Sequence, residues 1–229
     1  MNSSDPKRAT QPGIETAERP PMTIEVFFDF ICPWCLIGKR NMDAAVRRFA
    51  GLRPDVPLTV LWRSHQLLPD TPLNGKDYQA FYLDRLGSPE AVAARRAQVQ
   101  RAGYHAGVEF AFDRIGVLPN TAAAHQIVAY AASRGSEAQL ASLIDRMFTA
   151  YFMEGENIGE PRILEQLGLE CGLDYAGLTD HLAESGRHML HSSHRVNGVP
   201  HFVFNAGYAL SGAHSPDAIF EAMVLAVRD

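Results

Sequence analysis

Ile24-Glu25-Val26-Phe27-Phe28-Asp29-Phe30-Ile31-Cys32-Pro33-Trp34-Cys35 decides how the rest of this chain is read. A short apolar run, rich in β-branched and aromatic residues, ends at two cysteines separated only by Pro33 and Trp34. The run is too continuously apolar for a sheet with one wet face, so Thr23 to Ile31 is expected as a central strand covered on both sides. Leu36, Met42, Ala45, Val46 and Phe49 then recur at helical spacing, with Lys39, Arg40, Arg47 and Arg48 expected to face water. Cys32 falls in the N-cap region and Pro33 in the first helical turn, where its fixed φ and missing N–H cost least. A helix N-terminus favours thiolate, because its unpaired N–H groups and macrodipole stabilise the anion. A strand that delivers a Cys-x-x-Cys pair to such a helix start has the makings of a redox centre.

Outward from this stretch, Leu58 to Trp62 reads as a second strand, and the helical crossover is long enough for parallel pairing. Pro69, Pro72, Asn74 and Gly75 form a loop, after which helical patterns dominate. Ser88-Pro89-Glu90, Asn120-Thr121, Ser136-Glu137 and Pro161 each open a helix with start signals. Two further helices are expected near Tyr175 to Ala183 and on to about His194. Strand character returns in His201 to Asn205, a turn at Ala206-Gly207, and Tyr208 to Ser211, before Ser215-Pro216-Asp217 caps a final helix. The predicted division is a disordered tail over 1–22, one α/β sheet domain from 23–68 and 195–229, and an all-helical insertion over 69–194.

The composition excludes several classes. The net charge of −5 over 229 residues gives no reason to expect nucleic acid or an anionic membrane as partner. No apolar run approaches the roughly 18 residues that cross a bilayer. The polar first 23 residues lack the apolar core of a secretory signal, so the expected address is cytoplasmic. Three cysteines are a poor basis for a disulfide framework. In a reducing compartment a Cys-x-x-Cys pair is more often catalytic or metal-binding than structural.

The β-α-β, helical block, β-β-α order, with Cys32-Pro33-Trp34-Cys35 after the first strand and Val199-Pro200 before the late hairpin, resembles the thioredoxin fold with a helical insertion. More narrowly, the chain is similar to the DsbA-like thiol–disulfide oxidoreductases, in particular a cytoplasmic branch associated with polyketide gene clusters. Phe28 to Arg40, Leu118-Pro119-Asn120-Thr121 with Ala124-His125, Ala150 to Gly155, Asn157-Ile158-Gly159, Gly198 to Asn205 and Ser211-Gly212-Ala213 carry the likeness. It implies a Cys32 thiolate that attacks a disulfide and a Cys35 that resolves the mixed disulfide. It also implies a cis Pro200 beside Cys32, with the Val199 backbone offered to a bound substrate and Pro33 and Trp34 at the rim. The reaction would need no cofactor beyond the cysteine pair, with a thiol- or disulfide-containing protein or small molecule as substrate and glutathione as a conceivable co-substrate. Trp34 stands where the periplasmic oxidant of the family has histidine, and Val26 where it has an acid, so its strongly oxidising poise is not implied.

Each site residue has a blander reading. Cys32 and Cys35 could be half of a zinc site or inert core thiols, but tetrahedral zinc needs four ligands and no second Cys-x-x-Cys exists; no metal is expected. Pro200 could be a trans proline opening an edge strand. His188, His191 and His194 turn through the helix too far to converge and read as a polar face. His125 either lines the groove opposite the cysteines or is a satisfied helix histidine. Asp29 either relays protons or caps the strand–helix turn. Cys171 reads as a small buried side chain. Cys32 is expected at the exposed end of its helix and Cys35 shielded one turn in. Two rival functions remain: a glutathione-dependent isomerase or transferase of the 2-hydroxychromene-2-carboxylate isomerase/kappa type, which typically has Ser at the Cys32 position, and a non-enzymatic metal-binding or chaperone-like module.

Overall fold

The computed structural model of the chain describes residues 21–174, 176–178, 180 and 196–227. Residues 1–20 and the segment carrying His188, His191 and His194, expected as helix, lie outside the described residues.

Strand β1 (Met22–Phe28) is central in a four-stranded sheet of order β2-β1-β5-β6. It pairs in parallel with β2 (Leu58–Ser64), Val26 opposite Trp62, because helix α1 (Pro33–Leu52) makes the crossover. On its other side it runs antiparallel to β5 (His201–Phe204), Val26 opposite Phe202, and β5 turns back into β6 (Tyr208–Ser211). The turn sits one residue earlier than expected. Asn205 and Ala206 take positive φ, and the Gly207 N–H donates to the Phe204 carbonyl. Alternation sorts the β1 side chains. Met22, Ile24 and Val26 bury one face against Met42 and Phe49 of α1, Phe202 and Phe204 of β5, and Ile219 and Met223 of α7 (Pro216–Ala226). Thr23 and Glu25 on the other face are half-buried, and Glu25 pairs with Arg63. The strand is therefore buried on both faces only from Phe27 onward.

Among the described residues the intervening block is helical apart from a two-residue ladder between β3 (Lys76–Asp77) and β4 (Val117–Leu118). It contains α2 (Tyr78–Leu86), α3 (Pro89–His105), α4 (Ala122–Arg134), α5 (Glu137–Thr149) and α6 (Pro161–Glu170). Ser88, Ser136 and Ser215 accept from the backbone N–H three residues on, and Ser136 completes a capping box with Gln139. Helix α2 is not announced by the loop that precedes it, but Asp77 caps it by accepting from the Ala80 N–H.

The end of β1 leaves the sheet and enters the core of this block. Phe28 and Phe30 pack edge-on at 5.1 Å, and Phe30 meets Phe148 of α5 at 5.0 Å. Lys39, expected in water, is buried here. Its ammonium meets Asp43 at 2.8 Å on its own helix and Asp145 of α5 at 2.9 Å. A buried ammonium survives only with such partners, and α5, remote in sequence, supplies one of them.

Candidate active site

The β1–α1 junction holds both cysteines as free thiols. Cys32 is the N-cap of α1 in extended conformation, without a side-chain cap bond, and Pro33 fills the first helical position. No acidic residue stands in the first turn to compete for the positive helix end. The Cys32 N–H donates to the Asp29 carbonyl at 3.2 Å, and the Cys35 N–H donates to the Cys32 carbonyl at 3.0 Å. The first bond closes a turn over Asp29–Cys32 and the second a turn over Cys32–Cys35.

Val199-Pro200 arrives from the far end of the chain as the opposite wall. Its peptide bond is cis, and the Cys32 thiol donates to the Val199 carbonyl, Sγ to O 3.6 Å. Gly38 on α1 lets this wall approach: a Cβ built there would lie 3.0 Å from Pro200 Cγ and 3.1 Å from Phe202 Cζ.

The expected contrast in exposure between the thiols is not present, since Cys32 is 5% and Cys35 2% exposed. What separates them is access. Cys32 opens onto a cavity of about 520 Å³ that Cys35 does not line. Pro33 and Trp34 form its rim, and Ile31, Leu67 and Leu68 its strand-side wall. The far wall comes from α2 through Tyr78, Phe81, Tyr82 and Arg85, and from α3 through Val92, Arg95, Arg96 and Val99. The Cys35 thiol is pushed well above its ordinary pKa, first by burial, then by its hydrogen bond to Cys32 and the Cys32 charge, with the Asp29 charge adding to them. A hydrogen bond from the Asp29 backbone pulls the other way. Burial also raises the Tyr82 hydroxyl; the Cys32 sulfur adds to this, whereas Arg85, Arg95 and Arg96 oppose it. One aromatic hydroxyl thus lies within reach of both the Cys32 sulfur and the cations of the far wall.

Asp29 and His125 are not groove residues. Both are fully buried, and neither lines the cavity. Asp29 Oδ2 accepts from the Leu67 N–H at 2.7 Å, and Oδ1 lies 3.2 Å from His125 Nε2. The His125 ring packs between Phe28 and Phe30, centroids 5.2 and 5.3 Å away. Cys171, expected buried, is half-buried at the end of α6, where the Ser142 hydroxyl reaches its sulfur at 3.6 Å. Among the described residues no cluster of three or more His, Cys, Asp or Glu is arranged to hold a metal ion. No helix of these residues is long and apolar enough to cross a membrane.

The far wall escaped the sequence reading. Tyr78, Phe81, Tyr82 and Arg85 stand at i, i+3, i+4 and i+7 behind Asp77, which is one face of a capped helix, and that spacing could have been read.

Comparison with known proteins agrees with this architecture. The DSBA-like thioredoxin domain matches residues 23–224. The solved structure of a probable DsbA oxidoreductase, SCO1869 from Streptomyces coelicolor, superposes with a TM-score of 0.80 at 23% identity over 91% of each chain. A 2-hydroxychromene-2-carboxylate isomerase superposes with a TM-score of 0.58 at 17% identity, covering 90% of this chain and 95% of its own. The cytosolic disulfide reductase DsbM from Pseudomonas aeruginosa, solved with GSH, gives 0.56 at 21% identity, covering 90% of this chain and all 100% of its own. At these identities the superpositions speak for the fold alone, and they include an oxidoreductase and an isomerase alike.

Proposed function

The chain belongs to the DSBA-like thioredoxin domain family, and from that premise we propose that it is a thiol–disulfide oxidoreductase in which Cys32 is the nucleophile and Cys35 the resolving thiol. One observation carries the assignment: of two adjacent thiols on one helix turn, only Cys32 opens onto a cavity, while the environment of Cys35 holds it protonated. A 2-hydroxychromene-2-carboxylate isomerase-like role would leave Cys35 without a task, and the paired thiols argue for redox chemistry.

The steps balance with two thiols. The Cys32 thiolate at the α1 N-terminus attacks one sulfur of a substrate disulfide, forming the mixed disulfide and releasing the first substrate thiolate, which takes a proton from solvent. Bonding Cys32 to substrate discharges its sulfur, which removes one of the causes that keep Cys35 protonated. Cys35 then gives up its proton and attacks the Cys32 sulfur. The second substrate thiolate leaves, and the protein is left with a Cys32–Cys35 disulfide. The Val199 carbonyl and the Pro33-Trp34 edge hold the substrate on either side of the sulfur. No cofactor is needed, glutathione is a candidate co-substrate for returning the pair to dithiol, and the cytoplasm is the proposed compartment.

The test is insulin-disulfide reduction with dithiothreitol. Cys32→Ser should abolish catalysis, and Cys35→Ser should accumulate a mixed disulfide detectable by mass; full activity in Cys32→Ser would overturn the assignment.

A further inference from the structure

The cavity beside Cys32 has a chemical character that a general disulfide exchange does not require. At about 520 Å³ it falls within the range of small-molecule sites. Its walls are mostly apolar and aromatic, with cations at the mouth on the α2 and α3 side. Of these, Arg96 is committed: it pairs with Asp113 at 3.2 Å and donates to Gln79. Arg85 and Arg95 are exposed and differ from it. Arg95 bonds to Gln98 at 2.8 Å, and its guanidinium lies 5.7 Å from the centre of the Trp34 ring. Arg85 lies 5.9 Å from the centre of the Phe81 ring. Neither meets a carboxylate among the described residues, in a chain whose net charge is −5. Arg95 also stands beside the reactive turn, since Trp34 lies between the two cysteines. Two uncompensated guanidinium groups over aromatic rings, at the mouth of an apolar cavity that ends on a thiol, complement a ligand with an apolar body, an anionic group and a reactive sulfur.

We propose that this cavity selects small-molecule disulfides whose aromatic or otherwise apolar body carries a carboxylate or similar anion, with Arg85 and Arg95 reading the anion. This rests on Cys32 being the nucleophile. The reduced protein donates two electrons: Cys32 takes one half of the ligand disulfide, Cys35 displaces it, and two equivalents of the ligand thiol leave as the Cys32–Cys35 bond forms. The limited volume and apolar lining favour a small molecule over a segment of peptide, whose backbone would need hydrogen-bonding partners along the walls.

The experiment follows a single turnover of the reduced protein by stopped flow with dithiobis(nitrobenzoate), an aromatic dicarboxylate, and with dithiodipyridine, an aromatic disulfide uncharged at neutral pH. The readout is the ratio of the two rates, which cancels any general change in thiol reactivity. Arg85→Gln with Arg95→Gln should lower the ratio by about three- to ten-fold, the size expected of two exposed charges. Arg47→Gln with Arg162→Gln, exposed positions away from the cavity, removes the same charge and should leave the ratio alone. Val92→Trp fills the cavity from a half-buried site and should slow dithiodipyridine relative to bis(hydroxyethyl) disulfide. An unmoved ratio in the first pair, or an equal fall in both pairs, overturns anion selection. If the arginine and tryptophan variants impair only a peptide disulfide, the cavity takes a protein side chain and the small-molecule assignment is overturned. If Cys32→Ser reacts with both reagents as fast as wild type, what falls is the underlying redox assignment.

Discussion

Asp29 is the buried polar hub beneath the cysteines, and removing its carboxylate should cost a calculable amount of stability. Both oxygens are used: one accepts from the Leu67 N–H at 2.7 Å, the other faces His125 Nε2 at 3.2 Å, and both side chains are fully buried. With the imidazole in its Nε2–H tautomer, Asp29→Ala strands the buried His125 donor and the part-buried Leu67 N–H at once. A stranded buried donor costs about 1–3 kcal/mol and the part-buried one less, so the expected loss is about 3 kcal/mol, or about 6–12 °C in Tm for a chain of this size. Asp29→Asn is isosteric and retains one acceptor for Leu67. Its amide would then face Nε2, which must turn acceptor, moving the ring proton to Nδ1. That atom is buried and has no partner, so one stranded donor remains and the cost is about 2 kcal/mol. Urea titration of the reduced proteins, with unchanged m-values, measures both. A loss below about 1 kcal/mol for Asp29→Ala, or equal losses for the two variants, would refute this hydrogen-bond reasoning. The Asn variant has a second consequence. The Asp29 charge is one of the causes raising the Cys35 thiol, so in a Cys32→Ser background Asp29→Asn should shift the pH profile of Cys35 alkylation downward.

Two further predictions concern the same turn. Because burial above all raises the Cys35 thiol, the folded protein keeps a proton that the unfolded chain releases. The stability so gained is complete below the unfolded thiol pKa, about 8.5, and is lost as pH climbs from there towards the folded value. The reduced wild type should therefore lose stability above that pH more steeply than Cys35→Ala, as read by urea midpoints across the alkaline range; parallel slopes would contradict it. Gly38→Ala should push Pro200 and Phe202 away from α1. Overpacking of about 1–3 kcal/mol is partly offset by about 1 kcal/mol of helix propensity, so the sharper readout is insulin reduction, expected to fall about ten-fold through displacement of the Val199 wall. Wild-type activity would mean that this wall does not position substrate.

What the sequence disclosed was local. The thiol pair on a helix start, the serine caps at 88, 136 and 215, and the parallel β1–β2 pairing all follow from neighbouring residues and from connection length. The features it hid depend on segments that meet only in the folded chain. Lys39 looked solvated because its helix face is polar, and its second carboxylate, Asp145, is on α5. Asp29 and His125 are 96 residues apart, so neither could be recognised as the other's partner. Helix α2 falls where helical patterns are expected to dominate, but its start at Asp77 follows so closely on the Pro72, Asn74 and Gly75 loop that no separate helix is resolved before Ser88. With that helix went Tyr78, Phe81, Tyr82 and Arg85, which line the cavity. The family likeness supplied the Val199-Pro200 wall, which no periodicity in residues 196–205 would have located.

These long-range ties divide labour within the site. Two polar pairs, the fully buried Asp29 with His125 on α4 and the buried Lys39 with the half-buried Asp145 on α5, join the β1–α1 segment to the helical block. Removing a member of the Asp29–His125 pair leaves an uncompensated buried group, and removing Asp145 takes one of two carboxylates from the buried Lys39, so α4 and α5 are both tied to the cysteine turn. The α2–α3 side meets it differently. Its contacts with Cys32, Pro33 and Trp34 are made across the cavity, and the guanidiniums of Arg85 and Arg95 lie over aromatic rings without a buried carboxylate. Substitutions at the exposed faces of α2 and α3 therefore change what enters the cavity without stranding a charge behind the thiols. Thiol reactivity should follow changes in α1, α4 and α5, whereas substrate choice should follow changes in α2 and α3. A variant set that altered the disulfide preference from α2 and α3 while leaving the pH profile of Cys35 unchanged is what this division requires.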